Sequence, residues 1–482
     1  MTIWRHLTQA NRWSYRALSS PVCAAGLGIT LLAAMFAATV YLLGHRSLWA
    51  DEFFSIWFAQ PDWTFSRTLA ESIATDPQPP LYYSLLHFWI GWFGNGPVAV
   101  RSLNLLGFAL LATAMRYSWR TSIPRVAWLL FWSLMLTSRF LWDFAAEARA
   151  YFLVICASAL LTVLSYDFAV QIGKKRALRA WPFGMFSLVA LIASGLHYYG
   201  FIAAGSLIAA LFGYALLERR YKTAALFVGI GALLLVTEIA WIAYSFPRLW
   251  INVDNFWIIF RPISETRLFL TSTFSANVLL LLFITVAAVV GFRKIIKDRP
   301  LMVVVAALCI GYLAVLGLSL HQPILFNRYL SAFAPQLIYI STVVLCRGLS
   351  ASMLLPTMAS IFIISLPIAV ARSLPDRENW RGAAAYITAQ YGADCNHARF
   401  MMTHSHAPNF TVTYLAKDRD WSSVPFTQAG FDEAMATRCP VVGWTNQAST
   451  RWIMEHIAKI DRHGHRIEIV PFTGIFLIVA QP

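Results

Sequence analysis

Residues 21–44 read PVCAAGLGITLLAAMFAATVYLLG, and residues 45–60 continue HRSLWADEFFSIWFAQ. The first stretch carries no charge and, coiled as a helix, is long enough to cross a hydrocarbon core about 30 Å thick. Lipid offers no partner for unpaired backbone groups, so such a run spans as a helix. Its end is abrupt: Asp51 and Glu52 follow among Trp49, Phe53, Phe54, Trp57 and Phe58. The basic flank MTIWRHLTQANRWSYR could belong to a cleaved secretion signal, but the apolar run is too long and has no convincing cleavage site. It reads as an uncleaved first span.

Runs of the same kind recur. Eleven spans are expected, at about 21–44, 96–115, 126–143, 151–170, 181–199, 200–217, 223–246, 270–291, 301–320, 329–346 and 352–371. The 482 residues are 58% hydrophobic and 13% charged, with a mean hydropathy of +0.59. A soluble domain carries about a quarter charged residues, so that class is excluded. Continuous apolar runs in place of alternation exclude a β-barrel. The net charge of +15 sits in small clusters between the runs, as membrane topology requires, and no nucleic-acid partner is expected. With the N-terminus inside, the inner loops hold eighteen basic residues against nine on the other side. This bias places the N-terminus in the cytoplasm, and an odd number of spans places the tail outside the cytoplasmic membrane. The abundant Phe, Trp and Tyr suit interfacial belts and lipid- or sugar-holding pockets.

Two parts are expected: a membrane part, 1–372, and a small polar α/β domain, 373–482. The tail offers strand-like stretches at RFMMTHS (399–405), PVVGWT (440–445) and RIEIVPFTGIFLIVA (466–480). Cys395 and Cys439 each precede one of them. On adjacent parallel strands they would approach each other, as a disulfide in an oxidising compartment or as two buried thiols. Cys23, Cys156, Cys309 and Cys346 fall in or beside spans and read as packing residues, and no cysteine spacing suggests a metal site.

Polar clusters fall on one face once topology is assigned. Asp51 and Glu52 are either solvated loop charges or a functional pair, since a carboxylate in an apolar setting gains basicity and can take a proton from a hydroxyl. TDPQPPLYYSLLHFW (75–89) carries Asp76, Gln78, Tyr82 and Tyr83 behind prolines that stiffen a helix start. FAAEARAYF (144–152) holds either an internal Glu147–Arg149 pair or an arginine presented to phosphate, with Tyr151 beside it. GLHYYG (195–200) places His197 and Tyr198 at the same face, and HQPILFNRYL (321–330) places Arg328 and Tyr329 there. Ionisable residues near a membrane mark function by default, and their convergence strengthens that reading.

ADEFFS, DPQPPLYY, EARAY, LHYYG, NRYL and WRGAAAYI (380–387), taken in order, resemble the GT-C membrane glycosyltransferases. More narrowly, the likeness is to family-39-like members, the branch of protein O-mannosyltransferases and aminoarabinose-to-lipid-A transferases. It runs along nearly the whole chain and is most specific between residues 49 and 83. The resemblance implies a GT-C-like fold and transfer of a sugar from a polyprenyl-phosphate carrier to an acceptor on the outer face, usually with inversion. It implies that Asp51 is the general base and that Glu52 orients donor or acceptor. Asp76, Gln78, Tyr82 and Tyr83 would line the donor site with His197, Tyr198 and Tyr329. Glu147, Arg149 and Tyr151 would lie near the reaction centre, and Arg328 would meet the departing phosphate. Many relatives carry a basic residue where this chain has Gln78, which leaves more of the phosphate charge to Arg149 or Arg328.

The leaving group is already a phosphate, so no strong general acid is needed, and no acidic metal-binding cluster stands out. No cofactor is expected, although some distant relatives use a divalent ion. The acceptor is a lipid, a glycan or a protein. Two other classes stay open: a transporter or flippase of a lipid-linked sugar, and a ligase or polymerase of pyrophosphate-linked glycans using Arg248, Arg261 and Arg267.

Overall fold

The structure, a computed structural model, describes residues 20–119, 125–249, 258–391, 399–402, 422–425, 427–436, 441–445, 455 and 464–481. Helix α1 (Pro21–His45) is the first expected span. The segment after it folds over one end of the bundle as α2 (Ala50–Ala59), short helical turns at Phe65–Glu71 and Ile73–Thr75, and α3 (Leu81–Phe93). There follow α4 (Pro97–Ser118), α5 (Arg125–Leu136), α6 (Arg139–Ala145) and α7 (Tyr151–Gly173). Next come α8 (Ala180–Leu196), α9 (Tyr198–Leu217), α10 (Tyr221–Ser245) and α11 (Pro262–Thr273). The helical part ends with α12 (Val278–Ile295), α13 (Arg299–Ser319), α14 (Asn327–Gly348) and α15 (Pro356–Ser373).

Nine of the described helices are long and apolar enough to cross a membrane, and α5 and α8 are shorter apolar helices. The protein is a polytopic α-helical membrane protein, with two corrections to the expected spans. The third, 126–143, is broken: Ser138 is extended (φ −67°, ψ 129°), so the apolar run divides into helices of 12 and 7 residues. The eighth, 270–291, starts at Val278 instead. Left-handed Ser275 and Ala276 end α11, and the Asn277 side chain caps α12 by accepting from the Leu280 N–H.

Helix α7 is the hub. It is apolar on every side, as a helix buried by its neighbours must be, and packs against α4, α8, α9, α13 and α14. Gly107 permits the approach of α4, because a Cβ there would lie 2.5 Å from the Phe152 ring.

After the bundle come α16 (Trp380–Tyr391), β1 (Arg399–Met402), β2 (Ser422–Pro425), α17 (Gln428–Met435), β3 (Val441–Thr445), β4 (Arg466–Phe472) and β5 (Ile475–Gln481). The sheet order is β2-β1-β3-β5-β4, with β1 parallel to β2 and β3, and β5 antiparallel to β3 and β4. The stretch 466–480, expected as one strand region, folds back on itself at Gly474, whose φ of +71° suits the turn. Trp380, Ile387, Leu477 and Val479 join the apolar core that runs through the bundle. Cys395 and Cys439 lie outside the described residues.

Candidate active site

The chain leaves α1 at His45 and turns within four residues into α2, whose first turn carries Asp51 and Glu52. Arg101 of α4 holds that turn. Its guanidinium donates to the carbonyls of Leu43 (2.9 Å), Arg46 (2.7 Å) and Ser47 (2.8 Å), and it forks onto both Glu52 oxygens at 2.7 Å. Glu52 also accepts the Ala148 N–H at 2.7 Å and the Trp49 N–H at 3.3 Å. It is fully buried. Expected to orient a sugar, Glu52 instead fixes the first turn of α2 and ties it to the turn bearing Arg149. Arg101 was missed as a partner, although a lone arginine inside an apolar span is itself a signal.

A second brace comes from DRENWRG (376–382), just beyond α15. Asp376 accepts the Ser47 N–H at 2.6 Å, and Glu378 accepts the Ala50 N–H at 2.7 Å at the start of α2. Arg377 pairs with Glu147 at 2.6 Å and lies over the Trp49 ring, 4.7 Å from its centroid. At Gly474 a Cβ would sit 2.0 Å from the Arg377 carbonyl, so only glycine lets the β4–β5 turn close here. Three charges of alternating sign directly after a span were the sequence signal for this brace.

Asp51, unlike Glu52, reaches the surface of the site, with 31% of its side chain exposed. Arg328 donates to it at 2.6 Å and lies over Trp49 at 4.7 Å. Arg149 approaches the Asp51 carbonyl (3.4 Å), Ser55 Oγ (3.4 Å) and Tyr83 Oη (3.3 Å). The alternative Glu147–Arg149 pair does not form: Glu147 is committed to Arg377, with Arg46 3.9 Å away. One guanidinium thus pairs with the Asp51 carboxylate while a second approaches the backbone carbonyl of the same residue.

Beside them lies a narrow crevice with a cavity volume of about 10 Å³. Gln78, Tyr82, Tyr83, Arg149, Tyr151 and His197 contribute to its walls. Tyr329 packs tilted against the rings of Tyr151, His197 and Tyr199, closing its flank. Asp76 stays behind the wall, accepting the Gln78 N–H (2.9 Å) and the Tyr83 hydroxyl (3.0 Å). Tyr198 is half-buried and outside the crevice. Sequence and structure therefore agree in gathering Asp51, Gln78, Tyr82, Tyr83, Arg149, Tyr151, His197, Arg328 and Tyr329 at one end of the bundle.

No family model matches the chain, and no curated protein matches it in sequence. Solved structures do. ArnT from Cupriavidus metallidurans in the apo state superposes with a TM-score of 0.60 at 13% identity, covering 95% of this chain and 98% of ArnT. ArnT of the same organism bound to undecaprenyl phosphate gives 0.59 at 12%, covering 96% and 98%. The chain has the ArnT fold. That fold is GT-C-like, as the sequence motifs led one to expect, and it takes in the C-terminal sheet as well as the bundle.

Within this ArnT fold, burial sets the protonation of several groups. It raises the Asp76 carboxyl above its ordinary range, against the opposing pull of Arg149 and two hydrogen bonds. It raises Glu147 likewise, opposed by Arg377 and Arg46. His197 is pushed down to about 3, by burial first and by Arg149 second. Its Nδ1 accepts the Tyr199 N–H at 3.1 Å, so the proton of the neutral ring sits on Nε2. The unfolded ring binds a proton below about pH 6.5 and the folded ring does not, so His197 costs stability as pH falls from 6.5 toward 3. His197→Gln is therefore expected to lose less thermal stability than wild type between pH 7 and pH 4. Melting in detergent across that range checks it, and parallel losses would contradict the assignment.

Proposed function

We propose that the chain is a glycosyltransferase that moves a sugar from a polyprenyl-phosphate carrier to an acceptor hydroxyl at the outer face of the cytoplasmic membrane. The observation that carries this reading is a part-exposed Asp51 whose carboxylate pairs with Arg328 and whose backbone carbonyl faces Arg149, beside a crevice lined with polar groups. The ArnT fold, seen in one structure with undecaprenyl phosphate, supports it.

In the reaction, the acceptor oxygen attacks the anomeric carbon while the carbon–oxygen bond to phosphate breaks. The bonding pair leaves on the phosphate oxygen, giving polyprenyl phosphate, and the acceptor proton passes to Asp51. Attack from the face opposite the leaving group inverts the anomeric centre. Arg328 and Arg149 stabilise the charge gathering on phosphate. Arg328 holds Asp51 at 2.6 Å, so an arriving phosphate competes for its guanidinium and frees the carboxylate to take the proton. Glu52 acts through position, by fixing the turn that presents Asp51.

The N-terminus lies in the cytoplasm, the membrane part spans 1–372, and 373–482 form an outer part whose DRENWRG turn braces α2. The acceptor is a lipid, glycan or protein, and no metal takes part.

Protein reconstituted in vesicles with polyprenyl-phosphate sugars and a mixed pool of envelope acceptors tests this reading. Transferred sugar and free polyprenyl phosphate should appear in equal amounts, unchanged by EDTA. Donor crossing the bilayer without phosphate release would mark a transporter. Consumption of a pyrophosphate-linked glycan alone would mark a ligase, and loss of transfer with EDTA, restored by a divalent cation, would overturn the metal-free mechanism.

A further inference from the structure

We infer that the crevice selects an uncharged sugar and rejects a cationic amino sugar; the inference rests on the transferase reading above. Four polar atoms on its walls have no hydrogen-bond partner among the described residues: Gln78 Oε1, Tyr82 Oη, Tyr151 Oη and His197 Nε2. Tyr82 and His197 are 2% and 5% exposed. Buried polar atoms left unpaired are costly, and at a binding site the ligand is what pairs them. The four offer complementary roles. His197 Nε2 carries the ring proton and donates, Gln78 Oε1 accepts, and the Tyr82 and Tyr151 hydroxyls do either. Sugar hydroxyls, each both donor and acceptor, suit that set.

The charges around the crevice point the same way. Arg149 is the charged residue on its walls. No wall carboxylate awaits an ammonium. Both Asp76 oxygens are taken by Gln78 N–H and Tyr83 Oη, Glu52 is closed over Arg101, and Glu147 is paired with Arg377. Asp51 faces Arg328. Glu238, on α10, receives the Ser194 hydroxyl and does not line the crevice. An ammonium placed here would meet Arg149 and a ring N–H, with no carboxylate on the walls to offset them. A hydroxyl in its place meets only neutral partners. The crevice is narrow, and side-chain movement of the kind common at binding sites admits the ring.

The test pairs each neutral polyprenyl-phosphate donor (glucose, arabinose) with its amino counterpart (glucosamine, 4-amino-4-deoxyarabinose), using wild-type protein in vesicles at pH 7. Release of polyprenyl phosphate should be at least about 100-fold faster from a neutral donor than from its amino partner, the scale on which polar sites reject a mismatched group. Equal or faster release from the amino donor would overturn the inference while leaving the transferase reading intact. Release from no donor would overturn both. Tyr82→Phe supplies a second reading, because its hydroxyl makes no hydrogen bond among the described residues. Thermal stability should hold or rise, while kcat/KM for the neutral donor falls about tenfold. Unchanged kcat/KM would sink the role given to the crevice.

Discussion

Glu52→Ala is expected to cost the protein about 3–5 kcal/mol, because it leaves the Arg101 guanidinium buried without its counter-charge. Arg101 is 1% exposed and Glu52 not at all, so neither water nor salt compensates the loss. The Ala148 N–H loses its acceptor at the same time. Against a typical stability of about 5–15 kcal/mol, a loss of this size is enough to reduce the yield of monodisperse protein. Arg67→Ala is the control. It removes an i,i+4 pair with Glu71 whose members are 53% and 58% exposed, and such pairs contribute about 0–1 kcal/mol. Thermal unfolding of both variants in detergent is the measurement. An unchanged midpoint for Glu52→Ala would remove the keystone role from this pair.

Asp51→Asn has the opposite signature. The carboxylate is part-exposed and sits at the edge of the site, so folding should survive a nearly isosteric change. Chemistry should not. The amide cannot take the acceptor proton, and removing a general base lowers rate by about 10²- to 10⁴-fold. Donor affinity should hold or improve, since Arg328 no longer divides itself between Asp51 and the phosphate. A loss confined to kcat therefore separates a missing base from a weakened pocket.

Much of this site was legible because its residues are local in kind. Prolines before Tyr82, alanines around Arg149 and acids directly after a span are visible within a few positions. Charge bias then placed them on one face. The supports were not visible, because each is a long-range partnership. Arg101 finds Glu52 across 49 positions, and Glu378 caps α2 across 328. Nothing near Glu52 states that both its oxygens are already taken, so it read as a residue that orients donor or acceptor. The interrupted third span was hidden for another reason. Residues 126–136 are apolar and so is much of 140–146, and hydropathy does not register the extended backbone at Ser138. The fold-back at Gly474 escaped notice because β4 and β5 run on with one short break, with β-favouring residues on both sides.

In the proposed reaction Asp51 receives the acceptor proton as the sugar leaves its polyprenyl-phosphate donor. The most direct test of this role measures donor binding and single-turnover transfer on the same vesicle preparation, for wild type and Asp51→Asn. The variant should bind donor at least as tightly as wild type and transfer sugar about 10²- to 10⁴-fold more slowly. Transfer at the wild-type rate by a variant that binds donor normally would contradict it.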